Sequence, residues 1–289
     1  MSRRRWTVVL LVLAVGLGLG CDAGQQSETG AVGTSPADDW PNDPQWTQVW
    51  GDEFDGNGLP DTTKWHYEVG GHGWGNRERQ YYTEARPENA RIEDGHLIIE
   101  AHREAYEDSD YTSARLNSDP SWTYGRFEIR AQVPTGRGTW PALWLLASQD
   151  TYGDAFWPDN GEIDIMEHVG YDPNVIHSTV HTEAFNHTIG TQRGDTVHVP
   201  TATAAYHVYA LEWTPTTIRA FVDGEQYFAF RKQGDADYTR WPFTHDFHLI
   251  MNVAVGGEWG GAEGVAADVW PAAMRVDYVR VYKPESRVD

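Results

Sequence analysis

Gly161-Glu162-Ile163-Asp164-Ile165-Met166-Glu167-His168, directly after the turn-like Trp157-Pro158-Asp159-Asn160, sets three carboxylates within six residues of an apolar, β-prone stretch. A core is not built this way. Ionised carboxylates withdrawn from water beside one another repel, raise one another's pKa and cost several kcal/mol unless paired. Successive side chains of a strand alternate faces, so Glu162 and Asp164 share one face while Ile163 and Ile165 turn to the other. Glu167 is out of phase with that pair. One extra residue in the strand, a bulge at Met166, restores the phase and brings all three acids to one face with the apolar residues behind them. The outer glutamate Cα atoms then stand roughly 13 Å apart at about 3.3 Å per residue, and two long side chains leaning inwards bring the carboxyls to about 5 to 6 Å. That separation suits displacement at a sugar with retention of configuration, one acid attacking and the other protonating the leaving oxygen.

The sequence to either side reads as strand. His96-Leu-Ile-Ile-Glu-Ala101, Gly125-Arg-Phe-Glu-Ile-Arg-Ala-Gln-Val133, Ile218-Arg-Ala-Phe-Val-Asp223 and Arg275 to Tyr282 alternate or are rich in β-branched residues, and turn residues separate them. Glu93-Asp94-Gly95-His96 and Val222-Asp223-Gly224-Glu225 carry the Asp-Gly pairs of tight hairpins. No long amphipathic helix and no internal repeat stand out. Many short antiparallel strands without alternating helices imply a sandwich of two sheets. A chain of 289 residues with 40% apolar content can bury one large core. Aromatic residues make up 13%, with 14 Trp and 14 Tyr; most are expected in the core or in cross-strand pairs, and the remainder are free to stack on sugar faces.

The formal charge of −21 falls to −24 once the three arginines of the leader are removed. Such an excess opposes nucleic acid and anionic membrane faces as partners, and favours a neutral polymer over a sulfated one. Arg3-Arg4-Arg5 followed by the apolar run Trp6 to Leu19 reads as a signal peptide over residues 1–20, too short and too Gly-rich for a membrane span. Cys21, the only cysteine, follows Leu19-Gly20 and resembles the lipobox of bacterial lipoproteins; ordinary signal-peptidase cleavage nearby is the alternative. Residues 21–44 read as a flexible tether, poor in large apolar side chains, and 45–284 as one catalytic domain that holds together without disulfides. The expectation is an exported monomer, extracellular or in the cell envelope, touching membrane only through a lipid at Cys21.

The acidic segment resembles the signature of glycoside hydrolase family 16 in its bulged, laminarinase-like form rather than its unbulged, lichenase form. The likeness extends, in family order over residues 46 to 283, to Trp50-Gly-Asp-Glu-Phe-Asp-Gly56, Trp74-Gly-Asn-Arg-Glu-Arg-Gln-Tyr-Tyr-Thr83, Gly138-Thr-Trp-Pro-Ala-Leu-Trp-Leu-Leu146, Val180-His-Thr182, His207-Val-Tyr-Ala-Leu-Glu-Trp213, Asn252-Val-Ala-Val-Gly-Gly257 and Arg275-Val-Asp-Tyr-Val-Arg-Val-Tyr282. The resemblance implies an all-β, concanavalin A-like jelly roll of two antiparallel sheets with a concave cleft. It implies endo-hydrolysis of a neutral β-1,3-glucan, with mixed β-1,3-1,4-glucan as a second substrate. Glu162 is the implied nucleophile, Glu167 the acid and base, and Asp164 the residue that tunes both.

Trp140 and Trp144 lie four residues apart and so share a strand face; the resemblance implies that they stack on glucosyl units. Asn76 and Arg115 match positions that hydrogen-bond sugar hydroxyls, although Arg115 reads equally as an ion-pair partner. His181 and His168 lie close enough in sequence to orient carboxylates, or serve as buried structural histidines. Trp157 is placed to close one end of the cleft or to pack a loop. Arg77 and Arg79 depart from the family pattern and are expected to alter sugar contacts. No cofactor is needed for catalysis, but family members often hold a structural Ca²⁺ on the convex side, which here implicates Glu53, Gly95 and Asp277; Asp277 is alternatively an edge-strand charge. A glucan transglycosylase would share every one of these residues. A non-catalytic, lectin-like glucan-binding protein would usually have lost a catalytic glutamate.

Overall fold

The computed structural model describes residues 45–285, so the leader, Cys21 and the tether lie outside the described residues. Two sheets account for almost all of the regular structure. The first has seven strands in the spatial order Arg193–His198, Val175–His181, Glu162–Glu167, Thr139–Ala147, Phe247–Val255, Arg115–Trp122 and Trp65–Tyr67. The second runs Glu225–Arg231, Thr217–Val222, His207–Trp213, Gly125–Gln132, Ala272–Pro284, His96–Tyr106, Ser109–Ser113 and Gln80–Tyr82. Trp46–Asp52 is added on Ala272–Pro284 and Ala90–Glu93 on His96–Tyr106. Pairing is antiparallel except between Gln80–Tyr82 and Ser109–Ser113, which run parallel. Among the described residues helix is limited to the single turns Phe156–Asp159 and His187–Ile189.

Alternation in the sequence is what sorts side chains between core and surface. In Gly125–Gln132, Phe127, Ile129 and Ala131 are fully buried, while Arg126, Glu128 and Arg130 turn outward. Outside, Arg126 bridges Glu128 and Glu212 at 2.7 and 2.6 Å. Inward, the apolar faces of both sheets meet in one cluster that includes Phe127, Leu143, Leu145, Ile163, Trp213, Leu249 and Val279. Each large apolar side chain buried there contributes about 1.5–3 kcal/mol relative to exposure. The two Asp-Gly pairs make the expected turns, Asp94 and Gly95 at φ 52° and 75° and Asp223 and Gly224 at φ 51° and 86°, values that close two-residue hairpins. Glu93 accordingly faces His96, and Val222 faces Glu225.

Candidate active site

The acidic strand Glu162–Glu167 lies inside the seven-stranded sheet, between Thr139–Ala147 and Val175–His181. Toward the first neighbour Asp164 faces Trp144 and Met166 faces Leu143, which leaves Ile165 without a partner. Toward the second, Asp164 faces Thr179 and Glu167 faces His177, so two residues oppose Ser178. The extra residue is therefore shared between Ile165 and Met166 rather than seated at Met166 alone. Ile163, Ile165 and Met166 are all fully buried, and Glu162, Asp164 and Glu167 line the cleft. Side chains satisfy the backbone around the irregularity: Ser178 Oγ donates to the Asp164 carbonyl at 2.7 Å and the Tyr227 hydroxyl to that of Ile165 at 3.4 Å.

The acids stand where two hollows meet. One, of about 580 Å³, is lined by Trp74, Asn76, Arg115, Trp140, Trp144 and Trp157 among others; the second, of about 510 Å³, by His177, His181, His187 and Trp259. Asn76, Trp140, Glu162, Glu167 and His187 belong to both. A polymer laid along this cleft has room on either side of the carboxylates, which is what cleavage inside a chain requires.

Asp164 is only 3% exposed and its Oδ2 has no hydrogen-bond partner. His181 Nε2 approaches it to 3.3 Å and Glu162 Oε1 to 3.7 Å. Glu167 Oε1 accepts the Trp140 indole N–H at 3.0 Å. Burial pushes Glu162 up to about 8, with the Asp164 charge adding to the shift and His181 and Arg115 opposing it. Burial likewise pushes Glu167 up to about 8, reinforced by Asp164 and opposed by the Trp140 hydrogen bond. Burial raises Asp164 too. Three such acids cannot all ionise near neutrality, so they share protons and titrate as a set. His181 favours the ionised form of both outer acids, joined by Arg115 at Glu162 and by the Trp140 hydrogen bond at Glu167. Glu162, Asp164 and His181 also offer one potential metal-ligand atom each within 4.8 Å of one another, but acid-base chemistry accounts for all three.

The other expected residues sort by position. Trp140 and Trp144 both line the cleft, with Leu143 and Leu145 fully buried behind them, and Trp144 donates its indole N–H to Asn252 Oδ1 at 2.8 Å. Arg115 is an ion-pair partner that also lines the cleft. Its guanidinium is sandwiched between the Trp74 and Trp144 rings at 4.7 and 4.8 Å, it pairs with Glu68, and it lines the cleft. Trp157 lines the cleft and packs on His187 at 5.0 Å. His168 is structural: it is fully buried, and its Nε2 accepts the Asn174 N–H at 3.2 Å. Arg77 pairs at 3.2 Å with Glu258, which lines the second hollow. Arg79 does not reach the cleft; it lies over the Tyr111 ring in a separate hollow, because strand alternation sets it opposite to Glu78 and Gln80.

Glu53, Gly95 and Asp277 come together on the other sheet. Along one edge of Ala272–Pro284, His96–Tyr106 pairs as far as Val276 and Trp46–Asp52 takes over at Val279, so the backbone of Asp277 and Tyr278 faces the gap between them. Glu53 follows the end of one of these strands and Gly95 precedes the start of the other. The carboxylates are engaged by arginines, Glu53 by Arg280 at 2.8 Å and Asp277 by Arg130. Oxygen donors for a hard cation at this gap are therefore mainly carbonyls, since the Asp277 oxygen that Arg130 does not engage lies 3.8 Å from His96 Nε2. This fits the backbone-rich ligand set expected for calcium.

Several cleft residues carried no clear signal in the sequence. His187, at the start of the short helical turn His187–Ile189, and Trp259, on a loop, meet His181 and His177 respectively only in three dimensions. Glu78 and Asn252, by contrast, sit within motifs whose alternation places them on the cleft side.

Residues 77–280 match the family described as Glycosyl hydrolases family 16. A beta-glucanase of Rhodothermus marinus is 61% identical over 246 residues, which span 83% of this chain and 86% of that protein. The X-ray structure of the laminarinase from Rhodothermus marinus aligns with a TM-score of 0.83 at 61% identity, over 84% of this chain and 99% of that one. SCLam, a non-specific endo-beta-1,3(4)-glucanase from family GH16, aligns with a TM-score of 0.79 at 41% identity, over 84% and 95% of the respective chains.

Proposed function

The chain belongs to glycosyl hydrolase family 16, and we propose that its cleft hydrolyses β-1,3-glucan internally, with retention of configuration, using Glu162 as nucleophile and Glu167 as acid and base. The observation that carries this reading is the bulged strand that turns Glu162, Asp164 and Glu167 into one cleft open on both sides of the acids. Glu162, ionised, attacks the anomeric carbon while Glu167 gives its proton to the departing glycosidic oxygen. The glycosyl-enzyme forms and the aglycone half of the chain leaves. Glu167, now a carboxylate, takes a proton from water, whose oxygen attacks the same carbon and releases Glu162. Asp164 and His181 hold the nucleophile's surroundings, the Trp140 indole N–H fixes the acid, and Trp144 with Arg115 forms a platform for a glucosyl ring.

Laminarin is the substrate of choice, with lichenan second on the strength of the likeness to SCLam, a non-specific endo-beta-1,3(4)-glucanase. Reducing-sugar release from laminarin, curdlan, lichenan and agarose is expected to be fastest on laminarin; activity confined to agarose overturns the assignment. The leader and Cys21 support an exported setting, extracellular or at the envelope.

Calcium is proposed at the gap beside Asp277, held largely by carbonyl oxygens. A cation bound only by the folded state stabilises it, so chelation with EDTA is expected to lower Tm by roughly 5–10 °C. A Tm that neither EDTA nor added calcium moves rules the site out.

A further inference from the structure

Asn76, Glu78, Gln80 and Tyr82 occupy alternate positions of one motif and converge on a single carboxylate that the reaction itself does not use. Glu78 Oε1 accepts from the Asn76 side-chain amide at 3.1 Å; Oε2 accepts from the Gln80 amide at 2.7 Å and from the Tyr82 hydroxyl at 3.2 Å. The orientations of the Tyr82 and Gln80 branches are forced by chemistry. An indole N–H only donates, so Trp144 requires Asn252 Oδ1, found at 2.8 Å. Asn252 Nδ2 must then face the Tyr82 oxygen, at 3.0 Å, and the Tyr82 proton passes on to Glu78. Gln80 is oriented in the same way, because its Oε1 accepts the Val255 backbone N–H at 2.8 Å and leaves Nε2 for Glu78. Every chain of donors ends on Glu78, and two of them begin at groups lining the cleft.

We propose that Glu78 is a positioning residue for substrate binding. As an all-acceptor terminus it draws in the amide of Asn76, so that Asn76 offers its carbonyl oxygen to a sugar hydroxyl. Through Tyr82 and Asn252 it also fixes the plane of the Trp144 ring. This rests on the reading of the cleft as a glucan site. Burial raises the pKa of Glu78, and the hydrogen bonds from Gln80, Asn76 and Tyr82 and the charge of Arg115 oppose that rise. A glutamine at the same place has one acceptor and one donor. Either Asn76 or the Gln80 and Tyr82 pair would then meet an N–H, and one of the two chains must reverse.

The test is Glu78→Gln assayed on laminarin. A roughly tenfold loss of kcat/KM is expected, carried mostly by KM with kcat nearly unchanged, as for a lost oriented hydrogen bond that acts on binding. In an Asn76→Ala background the same substitution is expected to cost several-fold less, since one of its two outlets is gone. An unchanged KM in folded E78Q, or the same fold-loss in both backgrounds, overturns the role. If E78Q does not fold, Tyr82→Phe keeps the ring and removes only the hydroxyl link; a several-fold rise in KM is expected, and an unchanged KM overturns the Trp144 branch. Wild-type turnover separates the two levels of the argument: no action on laminarin defeats the glucanase reading, whereas normal action with an indifferent E78Q defeats only Glu78.

Discussion

Glu162→Gln is expected to lower kcat on laminarin by roughly 10⁴-fold or more while leaving the fold intact. The substitution keeps volume and shape but replaces the attacking carboxylate by an amide that cannot form the glycosyl-enzyme. Glu167→Gln should be equally severe on laminarin, yet much milder on an aryl β-glucoside whose phenolate leaves without a proton. That asymmetry distinguishes nucleophile from acid, and equal losses on both substrates for both variants would contradict the assignment. The pH dependence follows from the same burial. Activity needs Glu162 ionised and Glu167 protonated, so kcat/KM should fall toward acid as Glu162 gains a proton and toward alkali as Glu167 loses its own.

Stability should respond in the opposite sense to that of a paired carboxylate. Glu162 moves from the ordinary carboxyl value of 4.5 to about 8 on folding. Its contribution to stability is thus fully present below about pH 4.5 and is lost as pH rises through about 8. Glu162→Gln removes a group that must be ionised against its surroundings at high pH. The variant is therefore expected to melt at or above the wild-type temperature near pH 8.5, with a flatter slope of Tm against pH than wild type between pH 5 and 8.5. A steeper slope in the variant would show that the native pocket favours the ionised form.

Much of this site was legible from alternation alone. The phase of Glu162, Asp164 and Glu167 demanded an irregularity, and one is present; its seat differs slightly because the two neighbouring strands lose register at different residues. The shared face of Trp140 and Trp144 came from the same rule, and Leu143 and Leu145 are buried behind them. So, in retrospect, does the aspect of Arg79, which stands one residue out of phase with Glu78 and Gln80. Period two fixes faces but not partners, which is why the parallel pairing of Gln80–Tyr82 with Ser109–Ser113 left no trace. Arg115 was undecided because its neighbours are remote in sequence, and the ring stack and the ion pair turned out to coexist. His187 and Trp259 depend on where a helical turn and a loop come to rest, and no local pattern encodes that.

Deletion of Met166 is expected to cost stability rather than chemistry. Asp164 and Glu167 already face Trp144 and Ala142 on one neighbour and Thr179 and His177 on the other, pairs that are two residues apart on both. With Met166 gone, Ile165 becomes the single residue between the acids, opposite Leu143 and Ser178, and points to the core as alternation requires. No neighbouring register has to move, and Glu162, Asp164 and Glu167 keep one face. What disappears is a fully buried apolar side chain, for which about 2–5 kcal/mol is the usual cost in a core that cannot collapse around the void. In a domain of this size that corresponds to a fall in Tm of about 5–15 °C. Activity well below the melting point should stay within about tenfold of wild type, a change of less than about 1.4 kcal/mol in barrier. If the shortened protein folds but loses activity as completely as Glu162→Gln, the bulge itself aims Glu167 across the cleft, and the extra residue belongs to the catalytic geometry rather than to the packing beneath it.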